Sequence, residues 1–154
     1  MASGASESNS LRVVRSGVGL EELVTIQGLH DVQKMWSLTD STAVPRLLLS
    51  TSTSTVLLQL QPEISVIPIV DVIFKSETLA AGILPGAELL AQVTPRGLSL
   101  WSDLSVGQLE AQMKVDKGTE IVCAQVTADW AVVAKKGGNL VVFHVSDTGF
   151  SPEG

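Results

Sequence analysis

The chain has 154 residues, of which 45% are hydrophobic and 17% charged, with a mean hydropathy of +0.34. That is enough apolar material for one domain with its own core, and it excludes a disordered chain. Lys and Arg number 10 against 16 Asp and Glu; the formal charge of −6 repels phosphates and argues against direct nucleic-acid contact.

Residues 1–9 read as a polar lead. The start "MASGASESNS" lacks the apolar core of a secretory signal. A first short apolar run, "LRVVR", begins at Leu11. The stretch "GLEELVTIQGLHDVQKMW" holds the best helical period, but Gly28 interrupts it, and its halves read equally well as strands over 21–27 and 31–38. From there on the apolar runs are short, rich in Leu, Val and Ile, and bounded by Gly, Pro, Asp, Ser or Thr, which is the punctuation of strands. The longest of them, around "VIPIVDVIF", is broken by Pro68 and Asp71 and falls far short of the roughly 20 residues a membrane helix takes. The single cysteine, Cys123, lies in "IVCAQV". It excludes a disulfide framework and fits a reducing compartment, and its apolar neighbours predict a buried, inert thiol. These features predict a soluble intracellular protein.

The runs repeat. "STVLLQLQ", "RGLSLWSD" and "GGNLVVFHVS" share a polar or glycine opening, a Leu- and Val-rich centre and a polar close. Their apolar centres begin at Val56, Leu98 and Leu140, 42 residues apart each time, and Leu11 precedes the first by 45. The runs upstream, from Leu47, Leu89 and Ala131, keep the same step of 42. "EELVTIQ", "ISVIPIV" and "QLEAQMKV" lie between as fourth strands. A four-strand unit with a period of about 40–45 residues is the mark of a propeller blade. One such sheet cannot cover its own two faces, so blades stack, and central strands become apolar on both sides.

The predicted fold is all-β: a partial β-propeller of WD40-like type, with about three four-stranded antiparallel blades in an incomplete ring. Residues 1–17 form a polar lead and a strand from a preceding propeller junction. Residues 18–146 hold the blades, near 21–60, 64–102 and 107–145, and 147–154 form a tail. Propellers close with four or more blades, so the chain is expected to be a piece of a longer one. In each blade the recurrent run is the third strand, preceded by a tight hairpin at "STSTST", "TPRG" or "KKGGN".

The sequence carries no convergent chemistry. His144 falls inside a strand, and His30 stands in a turn beside Asp31. Neighbours along a strand face opposite sides, so His30 and Asp31 make no catalytic pair. No serine sits in a nucleophile-elbow motif. Two histidines and one cysteine lack zinc spacing. "GVGLEE" at 17–22 has Glu22 where a dinucleotide loop needs its third glycine. Glu21, Glu22 and Asp116 read as solvated loop carboxylates, Lys135–Lys136 as a charged hairpin tip, and Trp36, Trp101 and Trp130 as blade packing. The expectation is no catalytic residue, no metal and no cofactor, with partner-binding residues not legible.

The string "SGASESNSLRVVRSGVGL" at 3–20 resembles the junction that opens the second propeller in the family of damaged-DNA-binding protein 1, the large subunit of the cleavage and polyadenylation specificity factor, and splicing factor 3B subunit 3. "LHDVQKMWSL", "RLLLSTSTSTVLLQL", "AELLAQVTPRGLSLWS" and "WAVVAKKGGNLVVFHV" extend the likeness over about 3–145, and the opening string is most similar to the damaged-DNA-binding branch. The resemblance implies a non-enzymatic scaffold, nuclear and also cytoplasmic. Such a scaffold links a cullin 4 ubiquitin-ligase arm to WD40 substrate receptors in DNA repair. The sister branches imply the alternative, a scaffold of pre-mRNA splicing or 3′-end processing. An enzyme built on a propeller is the remote third reading, since it needs an axial cluster of acid, base or metal-binding groups that the sequence does not offer.

Overall fold

In a computed structural model of the chain, described for residues 11–15, 21–39, 44–60, 64–67, 75–103 and 107–153, the regular elements are all β-strands. β1 (Leu11–Arg15) pairs antiparallel with β2 (Glu21–Ile26). Three four-stranded antiparallel sheets follow, each in simple meander order. The first holds β3 (Val32–Leu38), β4 (Arg46–Thr51), β5 (Thr55–Gln59) and β6 (Ser65–Ile67). The second holds β7 (Ala80–Leu84), β8 (Leu89–Thr94), β9 (Gly97–Ser102) and β10 (Gln108–Lys114). The third holds β11 (Ile121–Val126), β12 (Trp130–Lys135), β13 (Leu140–Ser146) and β14 (Gly149–Pro152).

The recurrent run is the third strand of each sheet, as β5, β9 and β13. The sheets run one strand out of step with the units read from sequence. β6 and β10 close the sheets that precede them, and β2 pairs with β1 rather than opening the first sheet. The terminal segment is also different from the expected tail. Gly149–Pro152 pairs with β13, with Val145 opposite Phe150 and Phe143 opposite Pro152. Its four residues are too few to show a period, and Pro152 is tolerated because it ends an edge strand.

The three sheets stack face against face. Because side chains alternate along a strand, each sheet offers one set of residues to the sheet before it and another to the sheet after it. Leu38, Leu48 and Leu57 of the first sheet meet Ala81, Leu90 and Trp101 of the second, with Trp36 and Ile83 at the margin. The other face of the second sheet, including Leu89, Ala91, Val93, Leu98 and Leu100, meets Ala131, Val133, Phe143 and Val145 of the third. The far face of the first sheet buries Leu49 and Leu58 against Ile26, Leu29 and Val32. β8 is therefore buried along its whole length, and β9 along all but its last residue. Each fully buried Leu or Trp contributes about 1.5–3 kcal/mol relative to exposure, so the two junctions supply most of the driving force.

The turns match their residues. Thr51 N–H donates to the Ser54 carbonyl at 2.8 Å, and Ser54 N–H donates to Thr51 Oγ1 at 2.9 Å, so the Ser/Thr run is a self-capped hairpin. Thr94 pairs with Gly97 across a two-residue turn, Pro95–Arg96. Gly97 is required there. A Cβ on it would lie 2.0 Å from the Met113 carbonyl oxygen and 3.0 Å from Lys114 Cα, both backbone atoms of the paired strand β10. Gly97→Ala is therefore expected to destabilise the fold by well over about 1 kcal/mol, read as a lowered urea midpoint. The exposed Met35→Ala serves as the neutral reference.

Candidate interaction surfaces

Because every sheet is an antiparallel meander, the connections gather at two opposite rims. One rim carries residues 27–31 before β3, the β4–β5 and β8–β9 hairpins, residues 115–120 before β11, and the β12–β13 hairpin. These connections are tied together. Val115 N–H donates to the Arg96 carbonyl at 2.9 Å, Ile121 N–H to the Pro95 carbonyl at 2.9 Å, and Lys136 N–H to the Glu120 carbonyl at 2.8 Å. The other rim carries the β7–β8, β11–β12 and β13–β14 turns and residues 103 and 107, where Gly107 N–H bonds the Asp103 carbonyl at 2.8 Å.

Charge divides between the rims. Lys34, Lys75, Arg96, Lys114, Lys117, Lys135 and Lys136 lie on or beside the first, mixed with Asp31, Glu77, Asp116 and Glu120. The second presents Glu88, Asp103, Asp129 and Asp147 on its turns, all exposed, with the buried Arg46 where β4 begins. On this acidic rim a cleft of about 360 Å³ opens between the second and third sheets, with Pro85, Ala87, Asp129, His144, Ser146 and Asp147 in its lining. Among the described residues, no group of three or more His, Cys, Asp or Glu is placed to hold a metal ion.

The residues singled out in the sequence are scattered by the fold. His30 is exposed in the connection before β3. His144 is half-buried on β13 and meets Trp130 edge to face, with ring centroids 5.1 Å apart and planes at 79°. The two histidines are therefore far apart in the fold, one in a connection before the first sheet and one on the third sheet. Trp101 is fully buried and Trp36 half-buried, both in the junction between the first two sheets. Asp116 is exposed in the β10–β11 connection, and Lys135–Lys136 begin the β12–β13 hairpin. Glu21 and Glu22 belong to β2 rather than to a loop. The "GVGLEE" start and most of the string at 3–20 lie outside the described residues.

Cys123 corrects the expectation of a buried thiol: it is exposed. The pairing of β11 with β12 slips between Ile121 and Cys123, and the slip turns Cys123 onto the same face as Ala134 and away from the second sheet.

Sequence reading missed the buried polar residues. Ser50, Thr55, Thr78 and Gln92 are buried between the first two sheets, with Gln92 at 0% exposure. Trp101 Nε1–H donates to Gln92 Oε1 at 2.9 Å, and Gln92 Nε2–H donates to Thr78 Oγ1 at 2.7 Å. Thr78 Oγ1 and Thr55 Oγ1 share a hydrogen bond of 2.7 Å, and Thr78 N–H donates to Ser50 Oγ at 2.8 Å. Thr55 Oγ1 also bonds the Ser76 carbonyl at 2.7 Å. A buried polar cluster of this kind resembles an active site, but its groups are spent on one another, and it ties one sheet to the next. The only signal in the sequence is a glutamine inside the apolar run "LLAQV".

Two comparisons place this architecture. Residues 20–153 match the family model of the RSE1/DDB1/CPSF1 second beta-propeller. The chain belongs to that family. It is also 29% identical over 151 residues to DNA damage-binding protein 1 of rice, Oryza sativa subsp. japonica. That match covers 95% of this chain but only 14% of the relative's length. The stacked sheets are thus blades of the family's second propeller, and the expectation of fold and family drawn from the sequence is met.

Two results test the local geometry. Trp101→Phe keeps an aromatic ring in the junction but removes the donor to Gln92 Oε1 and leaves a small cavity. It is expected to cost about 1–3 kcal/mol, the penalty of an unsatisfied buried acceptor. In a double-mutant cycle with Gln92→Leu, the two losses should fall short of additivity by at least about 0.5 kcal/mol, measured by chemical denaturation. On the first rim, the Ser52 hydroxyl, with help from the Ser52 backbone, holds the Asp31 carboxyl below the ordinary aspartate range. A depressed carboxyl contributes stability above its unfolded pKa and loses that contribution as pH falls through the folded value. Carboxyl NMR titration should show Asp31 below the ordinary value in the native protein and returning toward it in Ser52→Ala.

Proposed function

We propose that this chain works as a non-enzymatic protein-interaction scaffold, as part of an adaptor like DNA damage-binding protein 1. In this reading it helps link a cullin 4-type ubiquitin-ligase arm to WD40 substrate receptors, acting in the nucleus and also in the cytoplasm. The observation that carries the reading is the match of residues 20–153 to the second propeller of this family. The rice relative's name adds DNA damage as the process in which that protein takes part. The fold supports it physically. Stacked blades with fully buried centres give a stiff body, and stiffness lowers the entropy cost of docking a partner. The loops gather on two rims of unlike charge, so two partners of different character can be held on opposite sides.

Protein partners suit these rims better than nucleic acid does. The lysines of the first rim are interleaved with carboxylates, and the second rim is acidic, so neither forms the basic stripe that phosphates call for. No chemistry is assigned to the cleft of the acidic rim; in this reading it is part of a docking surface.

The test is affinity capture of the native full-length protein from cells, with mass spectrometry of bait and partners. Recovery of a cullin and WD40 receptors, with a bait much heavier than 16.2 kDa, is the expected result. Recovery of splicing or polyadenylation factors instead overturns the ligase assignment in favour of a sister branch. A bait of 16.2 kDa with neither set of partners overturns the adaptor reading as a whole.

A further inference from the structure

Both walls of the acidic-rim cleft belong to this chain. Leu84, Pro85 and Ala87, where β7 ends and its turn to β8 begins, form one side. Asp129, Ser146 and Asp147, on the turns of the third sheet, form the other. His144 also lines it and is engaged edge to face with the Trp130 ring. The volume of about 360 Å³ lies at the lower end of ligand sites, which run from roughly 300 to 1,000 Å³. That is room for a long side chain entering from the rim.

The turns that carry the two carboxylates are closed without them. Thr127 N–H donates to the Trp130 carbonyl at 2.8 Å, and Val145 N–H donates to the Asp129 carbonyl at 2.8 Å, so main-chain bonds fix Asp129 in place. Ser146 Oγ and Thr148 Oγ1 share a hydrogen bond of 3.0 Å across the turn that holds Asp147. Among the described residues neither carboxylate has a hydrogen bond or ion pair, and the lining holds no Lys or Arg. Two like charges are thus held at one opening without a counter-charge, and they repel each other. A cation between them removes that cost.

The lining also says what kind of cation fits. Among the described residues no group of three or more His, Cys, Asp or Glu is placed to hold a metal ion. One wall of the cleft is apolar, which a bare ion cannot use. Lys and Arg combine an aliphatic stem with a charged head. The stem can lie along Leu84, Pro85 and Ala87 while the head reaches Asp129 and Asp147. Because the turns are already fixed, the receiving side loses little freedom on binding.

We propose that this cleft receives a lysine or arginine side chain from a basic segment of a partner protein. The proposal rests on the scaffold reading and names the chemistry of one partner. It is tested by fluorescence anisotropy with the native full-length protein. The probe is a labelled peptide of Gly and Ser with arginine at every third position. The double variant Asp129→Asn/Asp147→Asn keeps residues that turns tolerate. It should weaken binding at least about tenfold, the loss expected from removing charge-assisted hydrogen bonds. The same peptide with citrulline for arginine keeps the shape, loses the charge, and should also bind at least about tenfold more weakly. Asp116→Asn, on the exposed β10–β11 connection of the mixed rim, should leave binding unchanged. No binding up to about 1 mM peptide, binding that survives the double variant, or an equal loss in Asp116→Asn overturns the proposal. The probe is synthetic, so the result does not depend on capturing a cullin. If the peptide binds and no cullin is captured, the adaptor reading fails and the site stands. If a cullin is captured and the peptide does not bind, only the site fails.

Discussion

A four-stranded sheet with apolar side chains on both faces has no stable existence alone. It is too thin to hide either face, and each uncovered Leu or Val forfeits about 1.5–3 kcal/mol. The rest of the structure follows from this. β8 and β9 are buried on both sides, which works only because the second sheet lies between two others. The sheets must then be nearly identical in outline, so the sequence repeats. The strands must be short and meander, so the connections collect at two rims and leave the faces free to stack. The rims are a by-product of the stacking, and they are also the surfaces that partners can reach.

Apolar stacking alone does not choose one arrangement. Leucine faces slide over one another at little cost, and a core of interchangeable aliphatic residues loses uniqueness before it loses stability. The hydrogen bonds from Trp101 through Gln92 and Thr78 to Thr55 and Ser50 supply the missing constraint. They cross from the second sheet to the β4–β5 hairpin of the first, through groups that are buried and therefore costly to leave unmade. Any slide of one sheet over the other breaks several at once. The junction between the second and third sheets, by contrast, is apolar throughout its buried cluster, held by the fit of Phe143, Val145, Leu98 and Leu100. One junction is fixed by direction and the other by volume.

The repeat and the order of the apolar strands were legible in the sequence because they depend on where apolar runs begin and end; the short edge strand Gly149–Pro152 was not. Which face each residue takes was not. Counting from run to run puts Leu89 and Ala131 in the same place, 42 residues apart. In the structure Leu89 looks forward to the third sheet and Ala131 looks back to the second. The cause is one residue of loop. Thr94 and Gly97 close a two-residue turn, while Lys135 N–H reaches the Asn139 carbonyl at 2.8 Å across three. A shift of one residue reverses every side chain in a strand, so a period accurate to one residue still says nothing about faces. Cys123 was misread for a related reason. Its neighbours are apolar, but the slip beside Ile121 turns it outward, and a bulge leaves no mark in composition. The candidate surfaces were the least legible part, since charge separates by rim only after the strands alternate. Lys114 and Asp103 are 11 positions apart in sequence and at opposite ends of the molecule.

That separation of charge bears on how a scaffold of this kind chooses partners. Exposed charges contribute little to affinity but much to encounter and exclusion, and their reach is about a Debye length, roughly 8 Å at physiological salt. Each strand here is five to seven residues long on average, so the rims stand farther apart than that and act as independent fields. The mixed rim attracts no single sign strongly and must select by contact. The acidic rim, with Asp129 and Asp147 at the mouth of its cleft, attracts basic surfaces and turns away acidic ones, including other copies of itself. Two rims with two different physical criteria, set on one stiff stack, suit a scaffold.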